Sequence, residues 1–368
     1  MSGDYDAIIV GAGLSGLSLA NRLASSPWAS RRVLVVDDGR RDISDCSWAF
    51  WSTDPRWRRV PLRGTWDRLA VHALGRRREL PTSPYSYHCI SGRQVARVAR
   101  ARMAAAGFAS VEGHAEAVVG GPGRATVVVD GREHTASWAF DSRPPPDEGV
   151  GPWLSFLGWH IESESDAFDP AVATFMDFRV AEPGRLAFAY LLPFGPRQAL
   201  VEVAEITWRP VNDASARLAR YCTDVLGLAG HAITAREEGR LPLRPMLQGP
   251  APRVVPIGRR AGRLKPSTGY AFDRVQRHSA AIVRALVEDR DPRVAARSRP
   301  RSRWLDDVLL RVIEHDPDSV EEAFGRMFKS VGAPRVLRFL DEDTTAWQEA
   351  PLVVALPVAP FARAALRP

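Results

Sequence analysis

The 368-residue sequence predicts an α/β fold with a dinucleotide-binding first unit, an inserted β-sheet and a helical C-terminal region. Three observations carry that prediction. An apolar run, Ala7 to Val10, leads into Gly11-x-Gly13-x-x-Gly16. Residues 152–208 alternate aromatic, aliphatic and acidic side chains, as sheet strands do. From residue 303 onward the apolar positions follow a helical spacing.

The elements follow in order. Residues 5–10 read as a short buried strand, Gly11 to Gly16 as a tight turn, and Leu14 to Ala24 as a helix with a period near 3.6. "RVLVVDD", residues 32–38, is the next strand, which completes the opening unit of a Rossmann-like domain. Ser91 with Gln94 resembles a capping box opening a helix over 92–105. Short β segments follow, with Asp130-Gly131 as a hairpin turn. "RPPPDEGVG", residues 143–151, punctuates the chain as a domain boundary would. Near 253, "PRVVPIG" is a second buried strand, and "AFDRVQRHSAAIVRALVEDRDP" a helix stopped by Pro292. Helices over 303–314, 317–330 and 334–341 come last. The expected domains are residues 1–150 with 251–300 for an FAD/NAD(P)-binding unit, 151–250 for a substrate-binding sheet, and 301–368 for the helical region.

Composition narrows the function. The formal charge of +7 is almost wholly arginine, since Lys265 and Lys329 are the only lysines. The arginines are dispersed among acids without a basic block, so no nucleic-acid partner is expected. Cys46, Cys89 and Cys222 are odd in number and widely spaced, which indicates neither a disulfide framework nor a metal site. A reducing, cytoplasmic setting fits. No 18-residue apolar stretch occurs, so contact with a membrane would be peripheral. "APLVVALPVAPFA", residues 350–362, is uncharged and interrupted by prolines, with arginines on both sides (Arg338 and Arg363), as an interfacial segment would be.

The chemistry-bearing motif comes first in the chain. Gly11 permits the turn, Gly13 lets backbone approach a pyrophosphate, and Gly16 lets helix and strand pack closely. Asp37, ending the second strand, is placed to accept a hydrogen bond from an adenosine ribose. The distant "VVPIGRRAGRLKPSTGYAFDRV", with Pro266, Thr268 and Gly269 before a helix, is similar to the second flavin-contacting segment of FAD enzymes. That type often has aspartate after the strand glycine, where Arg259 stands here.

The pieces "FLGWHIE", "FMDFR", "FAYLLPFGPRQALVEVAEITW", "KPSTGYAF" and "FGRMF" together resemble the lycopene cyclase family, of the flavin-dependent bacterial and plant β-cyclase type. The resemblance spans nearly the whole chain. It implies a peripheral membrane enzyme of carotenoid biosynthesis that closes the linear ψ end of lycopene, or of a related ψ-ended carotene, into a β-ionone ring. It also implies bound FAD in reduced form, with NADPH as reductant and no net redox change. The family's acid/base glutamate falls on Glu202, in "LVEVAE". The family commonly follows that glutamate with another acid and a threonine, whereas Val203 and Ala204 follow here, leaving Glu205 as a substitute or helper. In "SDCSWAFW", Asp45, Cys46 and Ser47 stand where the family often has Gly-Asn-His.

Such chemistry needs a buried acid. An alkene is a very weak base, and burial keeps a proton on a carboxyl that would lose it in water. The cation that forms needs shelter: aromatic faces supply about 0.5–2 kcal/mol each, and Trp159, Phe175, Phe188, Tyr190, Phe194 and Trp208 are the expected walls. A nearby anion in a dry pocket supplies more. On strand alternation Glu202 faces one side with Leu200 and Ala204, and Glu205 the other with Val201 and Val203. Asp177 in "FMDFR" either orients a flavin or pairs with Arg179. His160 reads as a structural residue outside the catalytic set. Two other functions fit the same fold: an FAD-dependent oxidoreductase, such as a monooxygenase or carotenoid desaturase, and a flavin-bearing lipid-binding protein without catalysis.

Overall fold

The computed structural model describes residues 4–144, 151–244, 249, 251–294 and 300–366. Its first sheet grows from the fingerprint. Strand Asp4–Val10 lies between Val33–Asp37 and Arg132–Asp141, parallel to both, and Ala109–Glu112 adds in parallel at one edge. Ala125–Val129 and Ala115–Gly120 extend the other side in antiparallel fashion, while Val254–Pro256 joins Arg132–Asp141 in parallel. The central strands Asp4–Val10 and Val33–Asp37 are buried on both faces over most of their length, which is why their sequences read as nearly unbroken apolar runs. Helices Leu14–Leu23, Gly92–Ala105 and Phe272–Val287 cover one face through Leu17, Leu23, Ala99 and Ile282.

Local expectations hold where local chemistry decides them. Ser91 Oγ accepts from Gln94 N at 3.3 Å and opens the helix Gly92–Ala105. Asp130 and Gly131 take positive φ values between two paired strands, as a tight hairpin requires. The helix Phe272–Val287 ends five residues before Pro292, the residue expected to stop it. The proline-rich boundary falls largely on residues outside those described.

The second sheet has the order His231–Pro242, Trp153–Ser163, Gln198–Thr207, Leu186–Pro193, Ala173–Asp177, Arg68–Ala73, Arg76–Pro81. Its last two strands come from within residues 1–150, the stretch assigned by sequence to the first domain. Arg68–Ala73 pairs in parallel with Ala173–Asp177, about a hundred positions on, a partner that no local pattern announces. A small third sheet, Ser47–Ser52, Ser86–Ser91 and Gly64–Trp66, sits against the second sheet through Trp51, Trp66, Tyr87 and Cys89.

The C-terminal region is helical, as expected. Pro300–His315 and Asp318–Leu340 pack on the second sheet through Leu310, Phe324 and Phe328. Asp318–Leu340 breaks at Gly332 (φ 76°, ψ 167°), just before Pro334, so it runs as the two helices that the sequence spacing indicates. Ala346–Ala355 opens with a capping box from Thr345 and Gln348, and Val358–Leu366 follows. Among the described residues, no helix is long and apolar enough to cross a membrane.

Candidate active site

The glycine turn is shaped for a dinucleotide. Gly11 has φ 95°, a backbone state that side-chain-bearing residues rarely take. A Cβ on Gly16 would lie 1.8 Å from the Gly11 carbonyl oxygen, so the third glycine is fixed by packing. A Cβ on Gly13 would meet nothing within 4 Å, which leaves the backbone open to an approaching phosphate. The helix Leu14–Leu23 has no side-chain cap and no acid in its first turn, so its amides and positive end stay available to an anion. Asp37 accepts from Ala12 N at 2.5 Å and from Gly39 N at 3.0 Å. Those bonds fix the carboxylate beside the turn, and its remaining lone pairs can still take a hydroxyl.

The second segment closes on the first. Gly258 (φ 63°) lies against the opening helix, where an added Cβ would be 2.5 Å from Ser15 Oγ. The turn with Pro266, Thr268 and Gly269 is clasped by Lys265 N donating to Tyr270 O at 2.9 Å and Gly269 N donating to Lys265 O at 2.8 Å. Lys265 Nζ anchors the turn to the C-terminal helices through Asp306 at 2.8 Å and to Glu342 at 3.1 Å. A Cβ on Gly269 would lie 2.2 Å from Leu154 Cδ2, so this turn touches the second sheet directly. Tyr270 then reaches Tyr190, hydroxyl to hydroxyl at 2.9 Å, and an apolar cavity between Phe188, Tyr190, Thr268, Tyr270 and Phe324 runs under the C-terminal helices.

Strand register decides which side chains share this face of the sheet. Glu202 pairs laterally with Tyr190 on one neighbour and Gly158 on the other, and Gly158 in turn pairs with Glu237. Residues directly opposite in a ladder share a face, so Tyr190, Glu202 and Glu237 stand on one side, with Leu200 and Ala204 in the same apolar cluster as Trp51 and Tyr87. Glu202 is half-buried on this face. Burial pushes its pKa well above the usual carboxylate range, and the neighbouring Glu237 charge pushes it the same way. Burial likewise pushes the Tyr270 hydroxyl up.

Glu205 and Asp177 lie on the opposite face, under the helix Ala214–Arg220. Glu205 is held by Arg185 through Nε and Nη2, each at 2.9 Å, and by Arg217 at 2.8 Å. Asp177 takes Arg179 in a fork and the Tyr221 hydroxyl at 2.8 Å. Burial alone would raise its pKa; the Arg179 and Tyr221 hydrogen bonds outweigh it and hold the carboxyl below its ordinary value. The three acids singled out from the sequence are therefore split by the sheet: Glu202 stands apart from Glu205 and Asp177, which are ion-paired and turned away. Trp159, an expected wall, also faces that other side, beside Leu218 and Tyr221. Phe175, Phe188, Tyr190 and Phe194 belong with the Glu202 face, and Trp208 packs at its margin.

Two residues gain importance that their sequence context did not give them. Glu237, in the ordinary-looking "REEGR", is buried, and its Oε2 accepts from Ser47 N at 2.7 Å. His160, read as structural, places Nε2 3.0 Å from Glu237 Oε1 and 3.4 Å from Arg63 Nη1. Alternation along His231–Pro242, with Ala235, Glu237 and Gly239 sharing a face, was the available signal. The loop with Asp45, Cys46 and Ser47 thus has a defined role, because its Ser47 amide fixes a carboxylate next to Glu202.

The family model for lycopene cyclase proteins matches residues 6–366. The chain belongs to the lycopene cyclase family. No curated protein matches it significantly. Solved structures share the fold at low identity. A geranylgeranyl bacteriochlorophyll reductase-like protein from Thermoplasma acidophilum superposes with a TM-score of 0.61 at 13% identity, covering 99% of this chain and 96% of its own. The halogenase PltM, solved with phloroglucinol and FAD, gives 0.62 at 13%, covering 92% and 82%. PqsL, a probable FAD-dependent monooxygenase from Pseudomonas aeruginosa, gives 0.59 at 13%, covering 92% and 100%. The expected α/β architecture, a Rossmann-like unit with an added sheet and a helical C-terminal region, is the one observed, and these proteins share its fold.

Proposed function

We propose that this member of the family is a lycopene β-cyclase, converting ψ end groups of lycopene or a related carotene into β-ionone rings by acid-initiated cyclisation. The observation that carries the reading is Glu202: a carboxyl biased toward its protonated form, on an aromatic sheet face, next to Tyr190, whose hydroxyl pairs with that of Tyr270 after the second dinucleotide segment's turn. An acid held protonated at neutral pH in a dry, aromatic chamber is what protonation of an alkene requires.

Gly11, Gly13, Gly16 and Asp37 would hold the dinucleotide part of FAD, and Pro266, Thr268 and Gly269 would border its ring system. When bound in reduced form, FAD supplies negative charge that stabilises a nearby cation without net electron transfer. Its fit rests on the open Gly13 backbone and the uncapped helix end; NADPH is the proposed source of reducing equivalents. The protein's own part is to donate the proton from Glu202 and to wall the cation with Phe188, Tyr190 and Phe194. It also excludes water from the chamber. The competing redox reading has no comparable use for a protonated Glu202. Purified protein given lycopene in vesicles and reduced FAD should form ring product without consuming reductant in proportion. Glu202→Gln should abolish product while flavin stays bound; near-normal turnover in that variant would end the assignment.

A lipid-borne substrate requires an approach from the bilayer. Val353, Val354 and Val358, with Trp347 (89% exposed), leave a large apolar surface on the last two helices, near Arg363. We propose that this surface rests in the interface, as the uncharged 350–362 segment suggests. Val354→Asp should lower flotation with anionic vesicles several-fold, and unchanged flotation would remove this surface from the proposal.

A further inference from the structure

Glu237 is not explained by the family's single acid/base glutamate. It stands on the same sheet face as Glu202, on the far side of Gly158. A Cβ on Gly158 would lie 3.4 Å from Glu202 Cβ and 3.1 Å from Glu237 Cγ, so both acids converge over the one position that carries no side chain. Their environments differ. Glu237 receives the Ser47 amide and the His160 contact, with Arg63 beside His160. Glu202 has Tyr190 as its lateral neighbour and no arginine partner among the ion pairs of the described residues. Glu237 Oε1 is buried, with His160 Nε2 3.0 Å away.

We propose that Glu202 and Glu237 form a proton-sharing pair across Gly158, in which Glu202 carries the reactive proton and the anchored Glu237 anion is the positioning residue that keeps it there. The inference deepens the cyclase reading and rests on it for its use. One proton passes from the Glu202 O–H to the terminal alkene carbon, forming a C–H bond. The neighbouring alkene closes the ring C–C bond, and a ring C–H bond then breaks to leave the new alkene. That proton returns to the carboxyl pair, so the pair holds one proton before and after and no electron is gained or lost. Two carboxyls at such a site cannot both ionise cheaply, so they titrate as a unit.

The other groups with charge or titratable protons facing the pair are His160 and Arg63, Cys46 and Cys89, and Tyr87, Tyr190 and Tyr270. Of these, Arg63 is the permanent cation, and it sits beside His160 on the Glu237 side.

The test is a pH titration of the protonated-carboxyl C=O band by difference infrared spectroscopy on the full-length, flavin-loaded protein, beside the pH profile of cyclisation in lycopene vesicles. The wild type should keep the band above neutral pH. Glu237→Gln removes the like charge, so the band midpoint and the alkaline limb of turnover should both move down by about one pH unit or more. Glu237→Asp, which keeps the charge, should stay near the wild-type midpoint. Glu202→Gln should lose the part of the band that the wild type keeps above pH 7, leaving that of Asp341, which burial pushes up to about 7. An unmoved midpoint in Glu237→Gln, or an undiminished band in Glu202→Gln, overturns the pair. The predicted infrared shifts without ring product from the wild type at any pH would instead uphold the pair and overturn the cyclase reading.

Discussion

Glu202 and Glu205 lie three residues apart on one strand, on opposite faces of one sheet, and the protein treats them in opposite ways. On the side with Tyr190 and Tyr270, Glu202 has aromatic neighbours and a second acid, and burial with the Glu237 charge pushes its pKa up. On the side covered by the helix Ala214–Arg220, Glu205 meets Arg185 and Arg217, and Asp177 meets Arg179. The partners separate the two sides: an acid given arginines becomes an ion-paired group, whereas aromatic surroundings and a like charge bias an acid toward its protonated form.

The largest effect that would sharpen this contrast comes from Glu205→Gln. Arg217 is almost wholly buried and loses one of its two acidic partners, Asp213 being the other. Breaking a buried pair from one side costs about 3 kcal/mol or more, so chemical denaturation should show a marked loss of stability. Turnover per folded molecule should remain near normal, because nothing on the Glu202 face has changed. Lost turnover with unchanged stability would invert the comparison and return Glu205 to the chemistry. Glu202→Gln is expected to do the reverse, removing turnover with little change in stability.

What the sequence made legible followed from local chemistry. The glycine spacing and the Ser91 cap could be read directly. So could the Asp130-Gly131 turn and the break near Gly332, because each depends on residues within a few positions. Alternation alone also placed Glu202 and Glu205 on different faces. Two features were out of reach. Glu237 meets Glu202 only through two successive strand registers and a glycine, with 34 intervening residues of ordinary composition. The hairpin Arg68–Pro81 joins the second sheet by a parallel pairing that local sequence does not encode. The arginines that neutralise Glu205 and Asp177 were visible, but only Arg179 was near enough in sequence to be considered a partner.

Asp177 offers the smaller and subtler test of the same contrast. Its carboxylate is held below the ordinary value, so its stabilising contribution is fully present above the unfolded value near 3.8 and is lost as pH falls through the lower folded value. Asp177→Asn keeps the shape but weakens the hydrogen bonds to Arg179 and Tyr221, at a cost of about 2 kcal/mol near neutral pH. The gap between wild type and variant should shrink as the solution is acidified below pH 3.8, because the wild type then loses the same charge. Burial lowers the pKa of His72, whose Nδ1 lies 3.9 Å from Asp177 Oδ1. A gap that stayed constant with pH would mean that Asp177 holds its neighbours by shape alone. The paired face would then owe its stability to packing, leaving the charge contrast between the two sides without a structural consequence.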